Sequence, residues 1–491
     1  MAGENGNGSE AGPHGSVGAG SVGNGSSASG DGADRNGAGR IAVTSSPSQG
    51  GAETALRRSP DIFFQIAEQS LLVAERLRHT YLERTLALAD ALRRLAKQET
   101  EELELLQLPG DAPEPTSVAF VDGGVGQVNL NVSMPVIVRA GLFRVREGEA
   151  DLDEREFFAH FPLLLGELDG GLKTDRDYAS VVRMLVEAMA LRHVLTAPEL
   201  EDVRVIMLHG PLVYLADPLF HHTFPASDYL RILGSVHEAE DCLGEFQEWC
   251  RNCRWANQAK CRESRDRDRM PAMCLLAFLL RDGLDRCRDQ GRLICGVVER
   301  SSGRSLLRRI LRLLIEREDP AVVAFLDSHR NGAGTQSLVD DLLEVTRFSD
   351  SMLLSLVLDP GSCTMPGELT HRRGDERGGL FPPVLSTYVK PRRSRPYRVE
   401  FPTWLAPERQ LELLNRVYAY ADLLPGYAFP LGLDIVDKYT RVPGWMTHAF
   451  ETQIKLEYGR LLGGRRPDLD RIADHLFFGH DRGDKPRPEV R

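Results

Sequence analysis

The stretch "SVAFVDGGVGQVNLNVSMPVIVRAG", residues 117–141, decides how this chain is read. Ser117 to Val121 is an apolar run that ends at a carboxylate, Asp122. Gly123 and Gly124 follow, and glycine reaches backbone angles that other residues resist. Val128 to Met134 alternates apolar and polar side chains, and Val136 to Ala140 is again strand-like. The expectation is a central strand ending at Asp122, a tight turn at the glycines, and a second strand at once. Asp-Gly is a common turn pair, so Asp122 is either a turn cap or the first ligand of a metal site at a sheet edge.

Outward from this stretch, the chain has globular composition: 491 residues, 42% hydrophobic and 27% charged. Its length suits one large domain with insertions, or two to three domains. No apolar run approaches the roughly 18 residues of a membrane span, and no basic-then-apolar signal peptide opens the chain. A cytoplasmic protein without a membrane partner is expected. The net charge of −11 argues against wholesale coating of nucleic acid, yet leaves room for a local basic groove. No G-x-x-x-x-G-K-[ST] occurs, so any ATP hydrolysis must come from a partner.

Residues 1–54 are rich in Gly and Ser and read as a disordered tail, because they cannot bury enough surface to offset their ordering entropy. The segment 55–110 reads as a long N-terminal helix, running from Pro60 to about Leu106 with apolar residues at helical spacing. It either docks on the domain or pairs with a second chain. Pro- and Gly-containing residues 108–117 break it. Glu154–Leu165 and Asp177–Leu195 read as helices, 203–213 and 292–303 as buried strands ending in turns, and Ser305–Glu316 as a helix. Residues 348–361 suit a loop with a strand or short helix. Residues 385–402 suit a hairpin with a basic tip, and further helices begin at Pro407 and near Leu433. The result is a mixed α/β fold, a sheet flanked by helices. Residues 226–290 form a helical, cysteine-bearing insertion, and 456–491 a C-terminal helix with a polar tail.

Two further groups carry chemistry. Four of the eight cysteines, Cys242, Cys250, Cys253 and Cys261, are spaced x7, x2 and x7. A C-x2-C pair is a familiar unit for Zn²⁺ or an iron–sulfur cluster. One continuous helix would spread the four over roughly 30 Å, so a shared site needs a break near Trp255 to Gln258, with Cys274 as a substitute ligand. The alternative is a set of reduced cysteines packed in a helical insertion. At the hairpin tip, Lys390, Arg392, Arg393, Arg395 and Arg398 place five cations in nine residues. They form either a solvated hairpin or a contact to a DNA backbone.

Taken in order, "FVDGG" (120–124), "VSMPVIVRAGLF" (132–143), "VIMLHGPLV" (205–213), "LICGVVERSS" (293–302), "SDSMLLSLVLDPG" (349–361), "TYVKPRRSRPYRVEFP" (387–402) and "LLPGYAFPLGLDIVDK" (423–438) resemble a NurA-type nuclease domain. The resemblance spans roughly residues 60–455, and 111–455 would be the nuclease domain. It implies a ribonuclease-H-like core and a Mn²⁺-dependent (or Mg²⁺-dependent) 5′ to 3′ nuclease acting on DNA ends. It further implies a homodimer and partnership with a HerA-type hexameric ATPase.

Residue by residue, Asp122 matches the family's first-strand metal ligand, and Glu187, in "VVRMLVEAMALRH", matches its helix glutamate. The next acidic ligand of the family falls on His209, a departure. Tyr427 matches the family tyrosine. The family histidine falls on Ile435, a second departure, with Asp434 beside it as a substitute ligand. The catalytic set so implied is Asp122, Glu187, His209 and Tyr427, with metal held by Asp122, Glu187, His209 and Asp434. Each has a plainer reading: a solvated helix glutamate, a hydrogen-bonded core histidine, a tyrosine packed on the sheet. Two other classes stay open: a catalytically degenerate adaptor on a translocating ATPase, and a cysteine-centred sensor or nucleic-acid-binding module at 242–274.

Overall fold

The computed structural model describes residues 62–78, 82–98, 103–109, 113–128, 135–165, 172–213, 223–235, 239–252, 269–320, 322, 339–340, 343, 348–369, 380–392, 394–424 and 427–462. The expected tail at 1–54, residues 129–134 of the expected strand 128–134, and the polar tail beyond 462 lie outside the described residues. Contacts divide the chain into two units, Met1–Ala67 and Glu68–Arg491.

In chain order the helices are α1 (Ile62–Leu77), α2 (Glu83–Lys97), α3 (Leu152–Arg155), α4 (Leu172–Thr196), α5 (Ala226–Leu233), α6 (Ala239–Asn252), α7 (Ala272–Asp289), α8 (Ser305–Glu316), α9 (Asp350–Leu354), α10 (Pro407–Asp422), α11 (Leu431–Thr440) and α12 (Gly444–Leu462). The principal strands are β1 (Leu105–Gln107), β2 (Ser117–Gln127), β3 (Val136–Arg146), β4 (Glu156–Leu165), β5 (Val203–His209), β8 (Leu293–Val298), β9 (Ser362–Thr364), β10 (Gly367–Glu368), β11 (Val384–Val389) and β12 (Tyr397–Pro402). A separate two-stranded sheet pairs β6 (Thr223–Pro225) with β7 (Arg269–Pro271).

One ten-stranded sheet runs in the order β1-β9-β11-β12-β8-β5-β2-β3-β4, with β10 on β11. β2 pairs antiparallel with β3 and β3 with β4, whereas β2–β5 and β5–β8 are parallel. Five strands thus lie as third, second, first, fourth and fifth, with helix α4 crossing between β4 and β5. That is a ribonuclease-H-like sheet, extended on one side by the β11–β12 hairpin expected at 385–402.

Strand alternation sorts the core onto two faces. Ala119, Val121 and Ile206 face α4 and α7, whose Leu185, Met189 and Leu276 are buried there. Val118, Phe120, Val205 and Met207 face α10 and α11, packing on Leu413, Val417 and Leu433. The sheet is therefore covered on both sides where its parallel strands lie, as parallel pairing requires.

Three expectations are corrected. β2 runs straight through Gly123 and Gly124 in register with Ala140 and Arg139, so no turn forms there. Residues 156–165 are strand β4 and not a helix, each paired with β3. β4 ends the sheet, and an edge strand accommodates Pro162, which a helix interior would not. The long helix expected over 60–106 is met by two helices, α1 and α2, only as far as Lys97: Leu105–Gln107 are strand β1, paired with β9, and residues 79–81 lie outside the described set. α2 buries Leu88, Leu92 and Leu95, whereas α1 buries none of its residues. No described helix is long and apolar enough to cross a membrane.

Candidate metal centre

The parallel pairing of β2 with β5 ends at Val121 and Leu208. Asp122 and His209 are the next residues on each strand, and alternation turns both to the same face. The His209 Nδ1 lies 2.8 Å from the Asp122 Oδ2. Asp122 is 2% exposed, and its Oδ1 accepts a 2.7 Å hydrogen bond from the Gly123 N–H. Helix α11 brings Asp437 to the same place: ligand atoms of Asp122, His209 and Asp437 all lie within 4.8 Å of one another. Among the described residues, no other group of three or more His, Cys, Asp or Glu could hold a metal ion.

The glycines explain how two helices come this close. A side chain at Gly123 would meet the Glu187 Oε1 at 2.6 Å and the Arg183 Cγ at 3.0 Å, both on α4. One at Gly124 would run into the Thr440 carbonyl at the end of α11. The motif read as a turn is thus a bare patch of strand, clear on one face for α4 and on the other for α11. Glu187 is buried against it and pairs with Arg183 at 3.1 Å. Its charge reaches His209. Burial pushes the His209 pKa down, but the hydrogen bond and charge of Asp122, with the charges of Glu187 and Asp437, outweigh burial and leave it raised. Phe429 packs on the ring, centroid to centroid 5.1 Å.

So Asp122 and His209 meet, whereas Glu187 lies over Gly123 on the α4 side of β2, outside the group of ligand atoms within 4.8 Å, and reaches His209 through its charge. Asp434 does not join them. It takes a 2.5 Å ion pair from Lys438 and a hydrogen bond with Tyr427, and these hold its carboxyl below the ordinary range although burial pushes it up. Tyr427 is therefore tied to Asp434. The carboxylate that does reach the site, Asp437, stands three residues further along α11. A signal for it exists: an acidic side chain in a helix's last turn opposes the helix dipole and calls for a cation nearby. Arg441 answers at 3.3 Å.

The donor set suits a hard divalent cation such as Mn²⁺ or Mg²⁺: carboxylate oxygens and one imidazole, with no thiolate. The cysteines give no such picture. Cys242 and Cys250 lie on α6, about 12 Å apart along a helix axis, and Cys253 and Cys261 fall outside the described residues. Cys242 is buried among Phe246, Cys274 and Leu276, and that burial pushes its thiol up to about 11. A protonated, packed cysteine is the plainer of the two readings, and nothing among the described residues supports Zn²⁺ or an iron–sulfur cluster.

At the hairpin, the cations are unequal. The Lys390 Nζ donates to the Ser355 and Ser394 carbonyls, and Arg392 pairs with Asp422 at 3.0 Å. Arg395 is exposed, and Arg393 lies outside the described residues. Arg398 leaves the tip altogether: it points back along β12, bonds to Ser301 at 3.0 Å and pairs at 2.6 Å with the fully buried Glu400. Arg392 and Arg395 are the exposed cations among those described at this tip.

Fold and site together define a candidate carboxylate–histidine cation site on the central strands of a ribonuclease-H-like sheet, where the parallel pairing of β2 and β5 ends. The NurA domain model matches residues 116–442, more than half of the chain, and the chain belongs to the NurA domain family. No curated protein matches it. Among solved structures, the NurA nuclease from Sulfolobus solfataricus is similar at 14% identity and a TM-score of 0.46, over 84% of this chain and 100% of that one. A NurA structure bound to dAMP and manganese is similar at 13% identity and a TM-score of 0.40, over 83% and 99%.

Proposed function

We propose that this protein is a metal-dependent DNA nuclease that hydrolyses phosphodiesters with Mn²⁺ or Mg²⁺. The observation that carries the reading is the meeting of Asp122, His209 and Asp437 within 4.8 Å in a chain of the NurA family. A divalent cation held there would activate water for attack and stabilise the leaving oxygen. Asp122 and Asp437 would hold it through oxygen, His209 through a ring nitrogen, and Glu187 would close the site from α4. The buried Asp122 is held rigid by the Gly123 N–H, so its geometry is set before any ligand arrives. Phe429 keeps solvent from one side of the His209 ring.

The finer parts of the reading come from the family resemblance: 5′ to 3′ processing of DNA ends in repair, recombination or defence, a homodimer, a HerA-type ATPase partner, and a cytoplasmic setting. Asp437 also bears on the rival adaptor reading. His209 stands where the family places a carboxylate, but α11 returns one to the same pocket, which favours an active site over a degenerate one.

The test is cleavage of end-labelled DNA by the purified protein with Mn²⁺. Asp122→Ala should lower the rate by roughly 100-fold or more, since it removes a preorganised anionic group. Cleavage that survives both this change and excess chelator would overturn the metal mechanism.

A further inference from the structure

Each of the two helices that close the centre carries an arginine four residues from its carboxylate. On α4, Arg183 Nη1 lies 3.1 Å from Glu187 Oε1 and 3.4 Å from the Gly123 carbonyl. At the end of α11, Arg441 Nη2 lies 3.3 Å from Asp437 Oδ2. The two helices pack on opposite faces of β2, α4 over Gly123 and the end of α11 over Gly124, the two residues that follow Asp122. Arg139 donates to the Arg441 carbonyl at 3.4 Å, fixing that end of α11. The Arg441 side chain is 72% exposed and that of Arg183 32% exposed, so solvent and substrate reach both.

We propose that Arg183 and Arg441 are phosphate-binding residues that exchange partners when the metal binds. This rests on the nuclease reading and adds to it. Asp122, Glu187 and Asp437 carry three formal negative charges against the two guanidiniums, and this carboxylate excess repels a phosphodiester. One divalent cation reverses the sign. A cation held with Asp437, and drawing on the nearby charge of Glu187, would compete with the guanidiniums for these carboxylates. Each arginine then has donors to offer, and a planar guanidinium matches a phosphate with two parallel hydrogen bonds. Metal and DNA binding are thereby coupled: each strengthens the other. Lys438 offers an instructive contrast. It pairs with Asp434 at the same four-residue spacing, but that carboxylate stands outside the centre, so metal binding does not release it.

Two measurements test this: Mn²⁺ affinity by titration calorimetry, and affinity for a fluorescein-labelled DNA duplex by anisotropy. The second is read in chelator and in Ca²⁺, over a range of salt. Wild-type protein should bind DNA more tightly with Ca²⁺ than with chelator. In Arg183→Gln and Arg441→Gln that gain should shrink roughly tenfold, and the salt slope should become shallower by roughly 0.7–0.9 per arginine. Their Mn²⁺ affinity should hold or rise, because a competitor for the carboxylate is gone. Lys438→Gln should leave the Ca²⁺-dependent gain intact. Arg→Lys at either position should keep the salt slope while losing affinity, and carries the test should a glutamine variant not fold. Unchanged slopes with a full Ca²⁺ gain, or weaker Mn²⁺ binding in the arginine variants, would overturn the assignment while leaving the nuclease reading in place. A wild-type protein that binds neither Mn²⁺ nor DNA would overturn both.

Discussion

Asp437 changes what His209 means. Substituting a histidine for a carboxylate removes a negative charge from a site that must hold a dication against a phosphodiester. Asp437 supplies one from another element, and Asp434, the obvious neighbour in sequence, does not. Asp437→Ala should therefore weaken Mn²⁺ binding by more than the roughly tenfold that even outer-shell partners of a metal cost. Asp434→Ala should leave it nearly unchanged. Calorimetric titration of the two variants side by side decides between them. His209→Asp should keep or raise cleavage, since it adds a hard oxygen ligand and charge. A loss of Mn²⁺-dependent cleavage in His209→Asp, measured on end-labelled DNA, would show that the imidazole does work a carboxylate does not. Asp122 was readable as a candidate because an apolar strand ending at a carboxylate is unusual enough to ask for a reason. Asp437 carried only the weak signal of an acidic side chain in a helix's last turn, because its meeting with Asp122 is a property of α11's approach and not of any local run.

Among elements, α11 and α4 meet across a strand stripped of side chains. Gly123 and Gly124 are extended residues in β2, and what they supply is room. Gly124→Ala would force its methyl into the Thr440 carbonyl, which belongs to backbone and cannot rotate away. The end of α11 must shift, costing about 1–3 kcal/mol as other overpacked sites do. The measured melting temperature should fall, and Mn²⁺ affinity with it, because Asp437 and Arg441 move together with that helix end. An unchanged metal affinity would mean that α11 is not what positions the site. The misread β4 belongs to the same scale. Its run "EFFAHFPLLL" (156–165) is apolar enough for either a helix or a strand. Pro162 within it was the available signal, since proline in a helix interior removes a hydrogen bond while an edge strand loses nothing inward.

For the molecule as a whole, stability at low pH depends on ion pairs that tie the sheet's ends together. Arg146 at the end of β3 bonds at 2.6 Å to Asp202, just before β5. Burial pushes the Asp202 carboxyl up, but the hydrogen bond and charge of Arg146 outweigh it, so the folded value lies below the ordinary one. A depressed carboxyl contributes stability above the unfolded-state pKa, about 3.9 for aspartate, and that contribution is lost as pH falls through the folded value. Asp202→Asn should therefore flatten the acid side of the stability profile below about pH 4 and lower stability near neutrality. Denaturant unfolding across pH checks it; an unchanged acid limb would count against the pair. By itself the sequence determined the composition of the core, strands within 203–213 and 292–303, the hairpin at 385–402, helix α8 to the residue, and, through the family resemblance, Asp122, Glu187 and His209 as a candidate set. These follow from local periodicity, turn residues and motif order, which neighbouring residues impose on one another. Only the tertiary structure decided that the glycines make room and do not turn, that Arg398 serves Glu400 and not the hairpin tip, and that Asp437 joins the centre. The first and last depend on which helix lies on which face of the sheet and on segments far apart in the chain, and the second on the strand's pairing that brings Ser301 to Arg398.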